Sequence, residues 1–508
     1  MNKEEKKIGR RDYLKYASAG IGGLIVGGAI GYLSKPVGVV EKTITKTETV
    51  GAATVTKTET ATKTVTSPLP PKEIEVVVWA IGPDPPSEYR FKNFQIAQEL
   101  LNTKLSVTNS PVKIKVSGEF FVRPTEWEEY RKKFYLAFEA KGAPDIYCTG
   151  HEDIAYLAEK GYIIPLDDYI KQYWDTTYYD IISTLWNAVI YKGKKWAIPQ
   201  DTEVRPLYYR IDHLRELDKR GKLPDKFKPI EAIPEKVKNK EILLYDVLEL
   251  AKIAKEELGL ERGIVHRVKE GYDYLQFYLG FGGRLWDPTT GKMVFSKESW
   301  RKTFKWFYDA VWEYKVILPT QFSGDWDKDF HAPFTKGTTL FCSGGSWHKG
   351  EWISKGLLTE EDFKNNVGFM LHPAGDVSYK PVTLSHPLVY VITTQAKDRG
   401  KADISALLVS MVTDPHLNAK HAILSTHLAI LYSEINDSEY SKDWFLKEVA
   451  SMLDYTTFLP SHGRWGDYSK AVFATLRAVE SGELKPDEAT STLESDLKRA
   501  LGEEILIE

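Results

Sequence analysis

"AKGAPDIYCTGHEDIAYLAEKGYIIPLDDYI", residues 140–170, places a short apolar run after Pro144 and Asp145 and follows it with Gly150, His151, Glu152 and Asp153. The run "PDIYCTG" reads as a buried strand that delivers polar residues at its C-terminal end. Upstream, "EIEVVVWAIGPDPP" is a β-branched strand ending in Trp79 and a turn. "SEYRFKNFQIAQELLN" has helical spacing, "VKIKVSGEF" alternates as a strand, and "WEEYRKKFYLAFEAKG" is a helix closed by Gly142. Strand, helix, strand, helix, strand predicts a parallel sheet with ligand loops at the strand C-termini. The same grammar returns in "TTLFCSGGSW", "VGFMLHPAGD" and "PLVYVITTQA", whereas the stretch from "SKDWFLKEVASML" to "DLKRALGEE" reads as nearly all helical. Two α/β lobes are the economical reading.

What precedes the folded part has a different composition. Six Lys or Arg and three acids lie between Met1 and Lys15, and the seventeen residues Ala17–Leu33 carry no charge. "GRRDYLK" resembles the twin-arginine export consensus at Arg10, Arg11 and Lys15. At about 1.5 Å per residue the apolar stretch spans roughly 26 Å. With no small-x-small cleavage site before Pro36, residues 1–36 read as a retained membrane anchor, with a cleaved signal as the alternative. Residues 37–71 hold eleven Thr between Thr43 and Thr66 and few large side chains. Such a tract cannot bury enough surface to offset its ordering entropy and reads as a disordered stalk.

Composition narrows the function of the remainder. The formal net charge is −3 and no basic run lies outside the signal, which argues against a nucleic-acid surface. Two cysteines, Cys148 and Cys342, allow neither a disulfide framework nor a cysteine-rich metal site. Both stand at the ends of predicted strands. No HExxH, GxSxG or P-loop occurs, and "DWDKD" from Asp325 lacks the glycine and last ligand of a calcium loop, so it is read as a cleft-edge loop bearing Trp326. "PTTGK" reads as a hairpin turn.

Four stretches carry a resemblance. Residues 140–170 are similar to a signature of the carbohydrate-type extracellular solute-binding proteins of ABC importers, the maltose-binding-protein-like group. "VIYKGKKWAIPQDTEVRPLYYRIDHLRE", "FTKGTTLFCSGGSW" and "FLPSHGRWGDYSKAVFATLRAVESGELKPDEA" match in the same order, with Arg210 replacing the usual Asn and Leu340–Phe341 replacing Ala-Met. The resemblance implies a two-lobed α/β fold with a ligand in the interlobe cleft and delivery to a membrane permease. It implies first-lobe segments 72–196 and 375–440 and second-lobe segments 197–374 and 441–508, which puts Cys148 and Cys342 in opposite lobes, facing the cleft from their strand ends and unbridged. No cofactor, metal or catalytic residue is expected, the soluble part is expected to be monomeric, and the location is the outer face of the cell membrane, or the medium if the signal is cleaved.

A sugar presents hydroxyls at its rim and apolar C–H faces, so its site needs aromatic platforms and paired polar groups. The strand-end candidates are Trp79, Asp84, His151, Glu152, Asp201, Glu203, Trp326, Trp347, His386, Arg464 and Trp465. Motif position favours Glu152, Glu203, Trp347 and Trp465 as ligand contacts, the two rings standing in the cleft and contributing little to the fold. Trp186, Trp300, Trp306, Trp312 and Trp444 lie in helical patterns and are assigned to the core. A secreted glycoside hydrolase would use the same residue types, a non-sugar solute would fit the same fold, and an adhesion protein would explain the stalk but not the ordered motifs.

Overall fold

The computed structural model describes residues 48–50, 53–55, 72–83, 85–122 and 127–508. Two α/β sheets organise it. The first has five strands in the order Val112–Val122, Lys72–Gly82, Ile146–Gly150, Leu388–Ile392, Ile198–Asp201. Every residue of Ile146–Gly150 and of Leu388–Ile392 is buried, as expected of strands covered on both faces. Val78 and Trp79 run parallel to Ile146 and Tyr147. Leu388–Ile392, by contrast, is antiparallel to both of its neighbours. The sheet is mixed, which corrects the expectation of a purely parallel one.

The second sheet has the order Ile264–Val265, Phe341–Ser343, Leu207–Arg210, Val367–Met370. Leu207–Arg210 is antiparallel to both partners, so this sheet is mixed as well. The extended segment 202–206 carries the chain from the first sheet to the second. A third, small sheet joins the hairpin Trp286–Asp287 and Lys292–Phe295 to the C-terminal strand Ile505–Ile507, which lies parallel to Met293–Phe295. Gly291, at φ 67°, makes the turn that "PTTGK" predicts. A second strand in the C-terminal part, Thr456–Phe458, pairs with Thr383–Ser385, so residues 441–508 are not purely helical.

Helices Lys297–Tyr308, Trp465–Glu480 and Pro486–Leu501 pack on one another. Their interface buries Trp300 completely, its ring stacked on Tyr278 at 4.2 Å, and Trp306 is equally buried against Phe277. Trp186 is buried and Trp444 half-buried against the core, as assigned, but Trp312 is 38% exposed and is not a core residue. The helix Trp127–Glu139 is closed by Lys141, at φ 59°, rather than by Gly142. Cys148 and Cys342 are free and fully buried within their strands, where burial raises both thiols, Cys148 to about 12. Neither faces a cleft, which corrects that expectation.

The chain divides into two compact units, Met1–Val76 with Gln95–Ser117 and Val77–Phe94 with Gly118–Glu508. Every residue of the site below belongs to the second. In the Thr-rich tract Glu48–Val50 pairs with Ala53–Val55, which corrects the structureless reading for those six residues. The export signal, the anchor and the rest of the tract lie outside the described residues. Among the described residues no helix is long and apolar enough to cross a membrane.

Candidate functional site

A cavity of about 800 Å³ opens at the ends of the two main sheets, in the size range of small-molecule sites. One wall is built on Gly150. A Cβ there would stand 2.2 Å from Glu152 Oε2 and 2.6 Å from His386 Nε2, so only glycine lets these side chains close over the strand end. Glu152 Oε1 accepts hydrogen bonds from Arg131 Nη2 at 2.7 Å and from the Tyr272 hydroxyl at 2.9 Å, and Oε2 meets His386 Nε2 at 2.6 Å. Burial alone would lift this carboxyl, but His386 and Arg131 hold it well below the usual range. With both oxygens engaged, Glu152 is a fixed anion.

The opposite end of the network starts in the crossing segment. Glu203 Oε1 accepts from the His386 backbone N–H at 2.9 Å and pairs with Arg205 Nη2 at 3.1 Å. Arg205 Nε donates to Asp273 Oδ1 at 3.0 Å, and Arg267 Nη1 to the other oxygen at 3.1 Å. Each guanidinium lies over an indole, Arg205 over Trp347 at 5.2 Å and Arg267 over Trp326 at 4.8 Å, in cation–π geometry. Thr383 Oγ1 accepts from the Arg205 N–H and donates to its carbonyl, which fixes the backbone of the crossing. Gly345 makes room for Trp347, since a Cβ there would lie 1.8 Å from the indole.

The third side is aromatic. Trp465 opens its helix, stacks on Tyr468 at 5.2 Å and stands 6.0 Å from Tyr272. Its Nε1, like Arg205 Nη1, is buried without a hydrogen-bond partner. An unpaired buried donor costs stability, and both belong to residues that line the cavity.

Of the residues singled out from sequence, Glu152, Glu203, Trp326, Trp347, His386, Arg464 and Trp465 line this cavity. Trp326 does so from a wide helical turn, Trp326–His331, capped by Asp325, and not from a loop. Arg464 is exposed at the rim and paired with Asp467. Three candidates are displaced. Trp79 is half-buried with its ring edge-on to Phe121 at 5.4 Å and Lys133 above it. His151 is wholly buried behind Glu152. Asp201 lies under the floor, where Arg90 and His421 bind it at 2.7 and 2.8 Å and hold its carboxyl below the usual range against burial. Arg90 also faces His427, whose ring stacks on Trp347 at 6.2 Å, so Asp201 is linked to that indole through Arg90 and His427. Asp84 lies outside the described residues. The sequence reading missed Arg131, Arg205, Arg267 and Tyr272, all in the wall.

Burial lifts the Glu203 carboxyl from about 4.5 to about 7, with Arg205 only partly opposing it. Between those values the folded chain holds a proton that the unfolded chain has released, so this group's contribution to stability falls as pH rises. Wild type is therefore expected to lose stability relative to Glu203→Gln between about pH 5 and about pH 8. Parallel thermal melts check this, and equal shifts in both proteins would refute it.

Ring faces, forked guanidinium groups and fixed carboxylates converging on one cavity suit a hydroxylated ring held by stacking and paired hydrogen bonds. Known proteins resemble this arrangement at the level of fold. The chain is 22% identical over 363 residues to a maltotriose-binding protein of Pyrococcus abyssi (strain GE5 / Orsay), covering 69% of each chain. Among solved structures, maltose-bound MalE3 of T. maritima aligns with a TM-score of 0.66 at 17% identity, over 84% of this chain and 100% of that one. An ABC transporter solute-binding protein of Thermotoga lettingae bound with α-D-tagatose aligns with the same score at 19% identity, with the same coverage. Across residues 97–403 the sequence matches the model of the bacterial extracellular solute-binding proteins, and the chain belongs to that family of binding proteins, not enzymes.

Proposed function

We propose that this chain is the substrate-binding component of an ABC importer that captures a sugar or oligosaccharide in the cavity and passes it unchanged to a membrane permease. The observation that carries the reading is the placing of the Trp347 and Trp465 indoles on the same cavity as Glu152, Glu203 and Arg205. Residues 72–196 and 375–440 form one lobe and 197–374 and 441–508 the other, and ligand favours closure through contacts with both. Glu152 and His386 then act from the first lobe, Tyr272, Trp347 and Trp465 from the second. Residues 1–36 anchor the receptor at the outer face of the membrane and the Thr-rich segment tethers it near its permease, raising its effective concentration there. Recovery of the native chain in the membrane fraction tests the anchor.

Maltose, maltotriose and tagatose are the sugars to try first, since related binding proteins carry those names or ligands. Calorimetry on the purified protein is expected to give one-site binding to at least one of them, with the sugar recovered intact. No binding across a broad sugar panel would end the sugar reading, and consumption of the sugar would move the chain to the hydrolases.

A further inference from the structure

Two groups, each of two imidazoles and one carboxylate, sit at or beneath the cavity wall, and they differ in what stands between them. In the group Asp201, His421 and His427, the Arg90 guanidinium donates to Asp201 Oδ2 at 2.7 Å and faces His427 Nε2 at 3.0 Å. A permanent positive charge already fills that centre, which repels a dication. In the group His151, Glu152 and His386, the neighbouring cation is Arg131, and it binds the far oxygen of Glu152. Oε2 is left to the imidazoles.

His151 supplies the deciding observation. Its Nε2 stands 3.2 Å from the Leu459 carbonyl and therefore carries the ring proton. Nδ1 is then a bare lone pair, fully buried, without a hydrogen-bond partner, 3.8 Å from Glu152 Oε2. His386 Nε2 lies 2.6 Å from the same oxygen. The missing Cβ of Gly150 lets Oε2 and His386 Nε2 close on each other over the strand end.

We propose that His151 Nδ1, Glu152 Oε2 and His386 Nε2 form a site for a d-block dication of the zinc class that opens onto the cavity. Two imidazole nitrogens and one carboxylate oxygen match the donor preference of Zn²⁺, and three protein ligands leave a fourth position of a tetrahedron. Glu152 and His386 line the cavity while His151 lies behind them, so the fourth position faces the space where a sugar hydroxyl or water would stand. The Leu459 carbonyl orients His151, and Arg131 with Tyr272 fixes Glu152, as outer partners do around metal ligands. Metal entry displaces the proton shared by His386 and Glu152, which leaves to solvent. The inference goes beyond the sugar reading, and titration of metal without sugar tests it separately.

Co²⁺ added to the full, untagged chain is expected to give the visible absorption of a tetrahedral centre, saturating at one ion per chain and lost on addition of Zn²⁺. His151→Ala and His386→Gln are each expected to weaken Co²⁺ binding about tenfold or more. Should His151→Ala fail to fold, His386→Gln, whose side chain reaches the cavity, carries the comparison. Absence of a saturable band in wild type overturns the site, and so does a band that persists undiminished in the folded variant.

Discussion

Replacing Arg205 with alanine is expected to lower the unfolding free energy by about 3–5 kcal/mol and to abolish measurable sugar binding. The side chain is 4% exposed and pairs at once with Glu203 and Asp273, themselves buried to the same degree. Its removal leaves the Asp273 carboxylate with Arg267 as its one remaining side-chain donor among the described residues, and leaves Glu203, whose carboxyl burial already lifts, with a single backbone N–H. It also strips the cation from the face of Trp347. Arg205→Lys should recover only part of the loss, because a point charge cannot fork between two acids and stack on an indole. Arg205→Met combined with Glu203→Gln and Asp273→Asn should recover more of the stability and none of the binding. Urea unfolding with an unchanged slope measures the effect. A loss below about 1 kcal/mol would mean that water reaches these carboxylates and that the wall is not built as described.

Trp347→Ala and Trp465→Ala are expected to act on both affinity and stability. From sequence the two rings were expected to stand free in the cleft, so that their loss would spare the fold. They are in fact 8% and 3% exposed, packed on His427 and Tyr468 while still forming cavity wall. Each truncation is therefore expected to cost about 3–5 kcal/mol of stability, as for a core tryptophan. A further loss of about tenfold or more in sugar affinity should appear at temperatures where the variant remains folded. Trp300→Ala is the control, since it empties the core beside Tyr278 and should destabilise comparably with affinity retained. Equal affinity in all three variants would return Trp347 and Trp465 to a packing role alone.

The strand-end logic located Glu152 and His386 because a buried apolar run must surface somewhere, and the polar residues at its ends, Glu152 after one strand and His386 before another, mark the place. Asp201, Glu203 and Arg205 alternate along one extended segment, a pattern visible in the sequence. It does not say that the first turns beneath the floor toward Arg90 while the other two reach the cavity. Tyr272 sits in a non-periodic loop, and nothing local marks it as the donor to Glu152. Strand direction was equally illegible. The run "PLVYVI" would look the same parallel or antiparallel, since the apolar pattern records burial on two faces and not the partner's polarity. The C-terminal strand Ile505–Ile507 escaped for a simpler reason, being three residues beside a long helical pattern.

The place of Leu388–Ile392 in the first sheet sets a timetable for synthesis. This strand lies between Ile146–Gly150 and Ile198–Asp201, so those two cannot be joined until the ribosome has gone on to make it. At ~5–20 residues per second the interval from Asp201 to Ile392 lasts on the order of ten to forty seconds. Through that interval the nascent chain carries at least two apolar strand edges with no native neighbour, a surface suited to chaperone capture and to mispairing between chains. The first sheet is thus completed only late in synthesis, and the yield of the chain in a recombinant host should respond more to slowed initiation and added chaperone than to changes in codon speed within the first two hundred residues.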